Sequence, residues 1–200
     1  GFIGSYLVDL LLNQGIEPIV YDNFSTGNLK NLKRCQNQIE VIQGDVRDLD
    51  QLQKKLNDVD WVFHLAALSS VSASLLNPLI THEVNNTGTL NLLWAALQAK
   101  VSRVIIASSC SIYGDRHTPP LKETDLPSPK TLYAASKVTA EALAESFYQS
   151  YGLETVCLRY FNVYGPRQRA DSDYAAAIPK FIQCYQQKQS PQVYGDGLQS

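Results

Sequence analysis

The chain has 200 residues, 44% of them hydrophobic and 18% charged, with a formal net charge of -2. That is enough for one domain with a core, and it carries neither the basic surface that nucleic acid demands nor the roughly 18-residue apolar run of a membrane span. Four cysteines, Cys35, Cys110, Cys157 and Cys184, show no CxxC spacing, so they read as free thiols rather than metal ligands or a redox pair. Methionine is absent throughout, position 1 included. Together with half of a motif at Gly1 and an end at Ser200 without a terminal helix, this reads as a piece of a longer chain, with any targeting segment outside it.

The first element is a packed helix over Tyr6 to Leu12, stopped near Gly15. Strands follow at Ile19-Val20-Tyr21 and Ile39 to Gln43, then a polar helix from about Leu49 to Leu56 and a buried strand from Asp60 to Leu65. A long helix covers Pro78 to Ala99. Arg103 to Ser108 is the next strand, a Pro-rich loop holds Pro119-Pro120, a second long helix runs from Tyr133 to Tyr151, and Thr155 to Tyr160 is the last clear strand. Strands alternating with helices predict parallel βαβ units in a doubly wound α/β sheet, and near-continuously apolar strands predict cover on both faces. After Asn162 the pattern loosens, which places a boundary between residues 1–162 and the start of a smaller lobe at 163–200.

Gly1 and Gly4 are spaced like the last two glycines of a dinucleotide-binding turn, where a helix N-terminus receives a pyrophosphate. Such a turn expects a carboxylate about 20 residues on, at the end of the next strand, and Asp22 fits. A carboxylate there accepts hydrogen bonds from ribose hydroxyls and repels a 2'-phosphate, which favours NAD over NADP. A turn residue before Asn23 is the plainer reading of Asp22. Asp45-Val46 and Leu65-Ala66-Ala67 follow the next two strands, where open α/β sheets bind ligands. His64 reads as a strand residue with a satisfied ring, and His82 and His117 have no partners at ligand spacing, so no metal is expected.

Tyr133-Ala134-Ala135-Ser136-Lys137 places a phenol and an ammonium on one helix face. A phenol titrating near ~10 is a poor base at neutral pH. The ammonium and a positive nicotinamide ring together would lower it, a drop of roughly three units needing ~4 kcal/mol. A solvated lysine beside a core tyrosine is the plainer reading of this spacing alone. Ser109, just after the strand Arg103 to Ser108 in Ala107-Ser108-Ser109-Cys110-Ser111, could present a hydroxyl to the same pocket; a turn stabilised by local hydrogen bonds is its alternative.

The segments GFIGSYL, YDNFSTG, GDVRD, HLAA, NNTGTLNLL, ASSCSIYGD, YAASK, LRYFNVYGPRQ and VYGDG occur in this order over nearly the whole chain. As a set they resemble the extended short-chain dehydrogenase/reductase family and, within it, the NAD-dependent sugar-nucleotide epimerases and dehydratases. The resemblance implies a Rossmann-type core lacking its first strand, NAD as cofactor, a UDP-sugar substrate, a homodimer built on the two long helices and a cytoplasmic setting. It assigns Gly1, Phe2, Ile3 and Gly4 to the pyrophosphate turn. Asp22, Asn23, Ser25, Thr26 and Gly27 fall to the adenosine, Asp45 and Val46 to the adenine. Leu65, Ala66, Ala67 and Asn85 fall to the nicotinamide side, with Tyr160 and Val163 as further cofactor contacts. Ser109, Tyr133 and Lys137 match the catalytic triad, Tyr133 and Lys137 also touching cofactor. Ser69, Ser109, Tyr133, Asn162, Ile178, Pro179 and Tyr194 fall to substrate, the last three on loops.

Dehydratases of that family carry an acidic residue two places after the catalytic hydroxyl; here that place is Ser111. This favours a 4-epimerase acting on UDP-glucose or UDP-N-acetylglucosamine. A 4,6-dehydratase or decarboxylase, a reductase acting on another substrate, and a non-catalytic NAD-binding scaffold are the alternatives.

Overall fold

The computed structural model describes residues 1–115, 119–168, 177–192 and 195. Its elements are α1 (Phe2–Asn13), β1 (Ile19–Asp22), β2 (Glu40–Gln43), α2 (Leu49–Lys55), β3 (Trp61–His64), α3 (Val71–Leu76), α4 (Pro78–His82), α5 (Gly88–Gln98), β4 (Arg103–Ser109), α6 (Leu132–Tyr151), β5 (Glu154–Tyr160) and α7 (Ala177–Gln186). All strand pairings among the described residues are parallel. β1 pairs with β2, and β3, β4 and β5 form a second sheet in that order.

Helices cover both faces, as two adjacent residues of β1 show. Val20 packs on Val8, Leu32 and Cys35, the cluster under α1. Tyr21, pointing to the opposite face, packs on the main core of Leu52, Leu93, Val104, Ile106, Ala140, Ala144 and Phe147 from α2, α5, β4 and α6. The arrangement is doubly wound and Rossmann-like. The expectation of strands buried on both faces holds less well. β4 alternates, with Val104, Ile106 and Ser108 buried and Arg103, Ile105, Ala107 and Ser109 only half-buried. β1 and β3 each pair on one edge only among the described residues, which leaves Ile19 and Trp61 exposed.

Local chemistry explains the element ends. α1 begins at Phe2, a turn before the expected Tyr6, because the glycine at position 1 serves as its N-cap. It ends in a Schellman motif: the Gly15 N–H donates to the Leu12 carbonyl and the Ile16 N–H to the Leu11 carbonyl, each at 3.0 Å, with Gly15 at φ +74. α6 starts where Thr131 Oγ1 accepts from the Ala134 N–H at 3.1 Å, and stops at left-handed Gly152. The helical run after Pro78 reaches Gln98 much as predicted, but it is not uniform. Glu83–Thr87 is a π-helical turn between α4 and α5, the kind of local widening that tends to sit at functional sites. Among the described residues, no helix is long and apolar enough to cross a membrane.

The strand end that carries Ser109 is fixed by Gly114. Its φ is +61, and a methyl group added there would lie 2.1 Å from the Ser128 carbonyl oxygen, which belongs to a loop pinned by the Ser128 N–H donating to the Ile112 carbonyl at 2.7 Å. Gly114→Ala should therefore cost more than about 2 kcal/mol in denaturant unfolding. An alanine variant as stable as the parent would contradict this account of the turn.

Candidate active site

The predicted residues gather at the carboxyl ends of the parallel strands. The first turn of α1 opens between two of these ends. The Gly1 nitrogen lies 3.5 Å from Asp22 Oδ2 at the end of β1. A Cβ on Gly4 would lie 3.5 Å from Leu65 Cδ1, just past β3. The N-cap of α1 is Gly1, so no side chain satisfies its first N–H groups, and a helix N-terminus of this kind favours an anion. Phe2 and Ile3 are half-buried in that turn.

Asp22 is built for a polar ligand. Its Oδ1 accepts from the Phe24 N–H at 2.8 Å, which holds Phe24 at φ +57. Gly27 must be glycine to lie beside it, since a Cβ there would stand 2.6 Å from Oδ2. Asn23 Oδ1 accepts from the Ser25 N–H, and Ser25 and Thr26 are exposed on this turn. Asn23 Nδ2 also donates to Asp45 Oδ2 at 2.9 Å, joining the ends of β1 and β2. The Asp45 carboxylate is otherwise held by the Arg47 guanidinium and main-chain N–H, which keep it well below the usual carboxylate range. Val46 is buried with its side chain against Gly88.

The reactive groups sit where α6 crosses the end of β4. Lys137 is 7% exposed, and its Nζ donates to the Ala107 carbonyl at 2.8 Å and lies 5.8 Å from the centre of the Tyr133 ring. Burial lowers the ammonium to about 8. Ser109 Oγ accepts from the Ser111 N–H at 3.2 Å. Burial pushes the Tyr133 phenol upward, and this outweighs the neighbouring Ser109 hydroxyl, which favours the phenolate. The predicted lowering is thus not produced by the protein's own groups, because Lys137 aims its proton at Ala107 rather than at the phenol oxygen. His64 is buried with Nε2 2.9 Å from Thr89 Oγ1, and desolvation followed by the Lys137 charge lowers it to about 3, so it stays neutral.

Asn85 lies in the π turn, 3% exposed. Its Oδ1 accepts from the Leu68 N–H at 2.8 Å, and its Nδ2 donates to the Leu68 carbonyl at 3.1 Å and to Ser136 Oγ at 3.0 Å. With its amide spent inside the protein, Asn85 fixes the position of the backbone at Leu68. Ala66 and Ser69 are exposed on that segment, and Ala67 is half-buried. Tyr160 ends β5 in register with Ser109, and Asn162 and Val163 follow it, exposed. Ile178 and Pro179, predicted on a loop, lie in the first turn of α7 instead: the Ala177–Gln186 stretch has an apolar helical period at 178, 181, 182 and 185. Tyr194 and His117 lie outside the described residues.

Two arginines that sequence reasoning passed over hold this architecture. Arg159 of β5 donates to both Glu141 oxygens, at 3.0 and 2.9 Å, and to Tyr113 Oη at 3.0 Å. Ser108 Oγ donates to the same carboxylate at 2.5 Å. Arg167, at φ +70, donates to Asp9 Oδ2 at 2.6 Å and to the Ser5 carbonyl at 3.1 Å, and stacks 4.4 Å from the Tyr6 ring centre, so the loop after β5 packs back on α1. A charged residue inside the apolar run LRYF was the available signal for Arg159, since burying it demands a partner.

Helix α1, the Asp22 turn and the Ser109–Tyr133–Lys137 group thus stand at the carboxyl ends of the parallel strands of a Rossmann-like fold. The family model described as "NAD dependent epimerase/dehydratase family" matches residues 1–200, and the chain belongs to that family. The chain is similar to a UDP-N-acetylglucosamine 4-epimerase from Methanobrevibacter ruminantium solved with UDP-N-acetylmuramic acid: 44% identity, TM-score 0.94, 98% of this chain and 63% of that one. It is 36% identical to a putative UDP-glucose 4-epimerase of Methanocaldococcus jannaschii, covering all of this chain and 65% of the relative. It is 37% identical to a UDP-N-acetyl-alpha-D-glucosaminuronate decarboxylase of Bacillus cytotoxicus, over all of this chain and 63% of the relative. The chain thus spans just under two thirds of the length of each. NAD is the family's cofactor, and the uncapped α1 terminus with Asp22 beside it suits a dinucleotide.

Lys137 supplies a stability test. Between about 8 and its ordinary 10.5 the folded protein holds fewer protons than the unfolded chain, so stability rises with pH across that window. Against Lys137→Met, the parent should gain about 2 kcal/mol of unfolding free energy between about pH 7 and about pH 9.5. A pH-independent difference between the two would contradict a buried ammonium.

Proposed function

We propose that the protein, with NAD bound, inverts C4 of a UDP-hexose, UDP-glucose/UDP-galactose or the N-acetyl forms, through a 4-keto sugar. The supporting observation is the meeting of Ser109, Tyr133 and Lys137 at the end of β4, followed by Cys110 and Ser111 where an eliminating enzyme needs a carboxylate. Glu141, the carboxylate bonded to this strand end, is occupied by Arg159 and Ser108.

The α1 terminus and Asp22 would hold the pyrophosphate and adenosine ribose, and Lys137 would serve the nicotinamide ribose. NAD supplies the hydride acceptor and donor at C4. Tyr133 as phenolate takes the 4-hydroxyl proton while Ser109 hydrogen-bonds that oxygen. The raised phenol means that the protein alone keeps Tyr133 protonated, so its activation depends on the positive charge that the oxidised cofactor brings. Asn162, Ser69, Ile178, Pro179 and Tyr194 are assigned to the nucleotide sugar. The keto sugar turns about its diphosphate so that the hydride comes back to the other face of C4, and Tyr133 returns the proton to the 4-oxygen. The exposed Leu90 and Trp94 of α5 and Tyr148 and Tyr151 of α6 form an apolar surface suited to a homodimer.

The decarboxylase relative favours one other reading, in which C4 oxidation is followed by loss of carbon dioxide from a uronate. Incubation with UDP-galactose, UDP-N-acetylgalactosamine and UDP-glucuronate, without added cofactor, separates the two by mass and NMR. Unchanged mass with C4 inverted is expected; loss of water or carbon dioxide would overturn the epimerase reading. Tyr133→Phe should lower kcat at least about 100-fold. Near-normal turnover would remove Tyr133 as the base.

A further inference from the structure

We infer that Ser74 is a positioning residue for Tyr133, locking the 65–76 segment and the catalytic tyrosine into one unit. Ser74 lies in α3 and is 1% exposed. Its Oγ donates to the Val71 carbonyl at 2.6 Å and accepts the Tyr133 main-chain N–H at 3.2 Å. That N–H is in the first turn of α6, where no intrahelical acceptor exists, and Thr131 Oγ1 serves Ala134 instead.

The other side of the same residue is tied to the same segment. The Tyr133 carbonyl accepts from Ser136 Oγ at 2.7 Å, Ser136 Oγ accepts from Asn85 at 3.0 Å, and Asn85 grips both the N–H and the carbonyl of Leu68. Tyr133 is therefore clamped before and after its Cα by one stretch of chain. That stretch exposes Ala66 and Ser69 toward the side assigned to substrate.

Serine is a poor choice for a buried helix interior, and a six-residue helix is too short to stand alone. An alanine at 74 would fill the helix better but leave the Tyr133 N–H without an acceptor. The hydroxyl fits a need for phenol placement: an error of about 1 Å at a reacting group costs up to about 100-fold in rate. The inference rests on the proposed role of Tyr133 as base.

The test uses Ser74→Ala and, should that variant fold poorly, the isosteric Ser74→Cys, a weak acceptor. Expected per folded molecule are a roughly tenfold fall in kcat, a KM within about twofold of the parent, and movement of the Tyr133-dependent pH limb to higher pH as the phenol loses its hold on Ser109. A merely structural serine would lower thermal stability and leave kcat and that limb unchanged, which would overturn the inference. Near-ultraviolet phenolate titration, with Tyr133→Phe subtracted, decides the matter without turnover. If the parent shows no epimerisation the proposed function fails, and the phenol titration still stands: an upward shift in the Ser74 variants supports the positioning role, and an unmoved titration ends it.

Discussion

The burial of one ammonium against one carbonyl organises the strand end where α6 meets β4. Lys137 cannot reach water, so it must spend its proton on the Ala107 carbonyl, and this fixes where α6 crosses β4. From that crossing follow the place of Tyr133, one turn earlier on the same helix face, and that of Ser109, two residues beyond Ala107. The cost is visible in the lowered ammonium and in neutral His64 behind it. A buried charge of this kind is a cost to stability, and such costs are retained mainly where a function is proposed to use them.

The cofactor side depends on a different constraint, the close approach of chain segments around a carboxylate. Gly27 lies against the Asp22 carboxylate, where a Cβ would stand 2.6 Å from Oδ2, and Phe24 beside it takes a left-handed backbone. Arg167 and Arg159 then act as struts. One holds the loop after β5 onto α1, and the other holds β5 to α6 and to the turn after Ser109. Both ion pairs are largely shielded from water, where removing one partner strands the other charge.

Much of this was legible in the sequence, for local reasons. Strand and helix periodicity placed the five strands and the longer helices within a few residues but missed α3 at Val71–Leu76, and the four-residue spacing of Tyr133 and Lys137 put both on one face. What stayed hidden was non-local. Nothing near Lys137 names Ala107, thirty residues back, as its acceptor. Asp9 and Arg167 are 158 residues apart. The π turn at Glu83–Thr87 follows from the grip of Asn85 on Leu68 rather than from propensity. The fall expected for the phenol counted two cations, Lys137 and the nicotinamide ring; among the protein's own groups desolvation is the largest effect and raises it.

The central claim is reversible oxidation at C4 with the same hydrogen returned to the opposite face. The most direct measurement follows UDP-galactose carrying deuterium at C4, with no cofactor added. The account predicts UDP-glucose that keeps the deuterium at C4 while exchanging none of it with water. Product that has lost the label to solvent would contradict it, since that would mean C4 was deprotonated rather than oxidised.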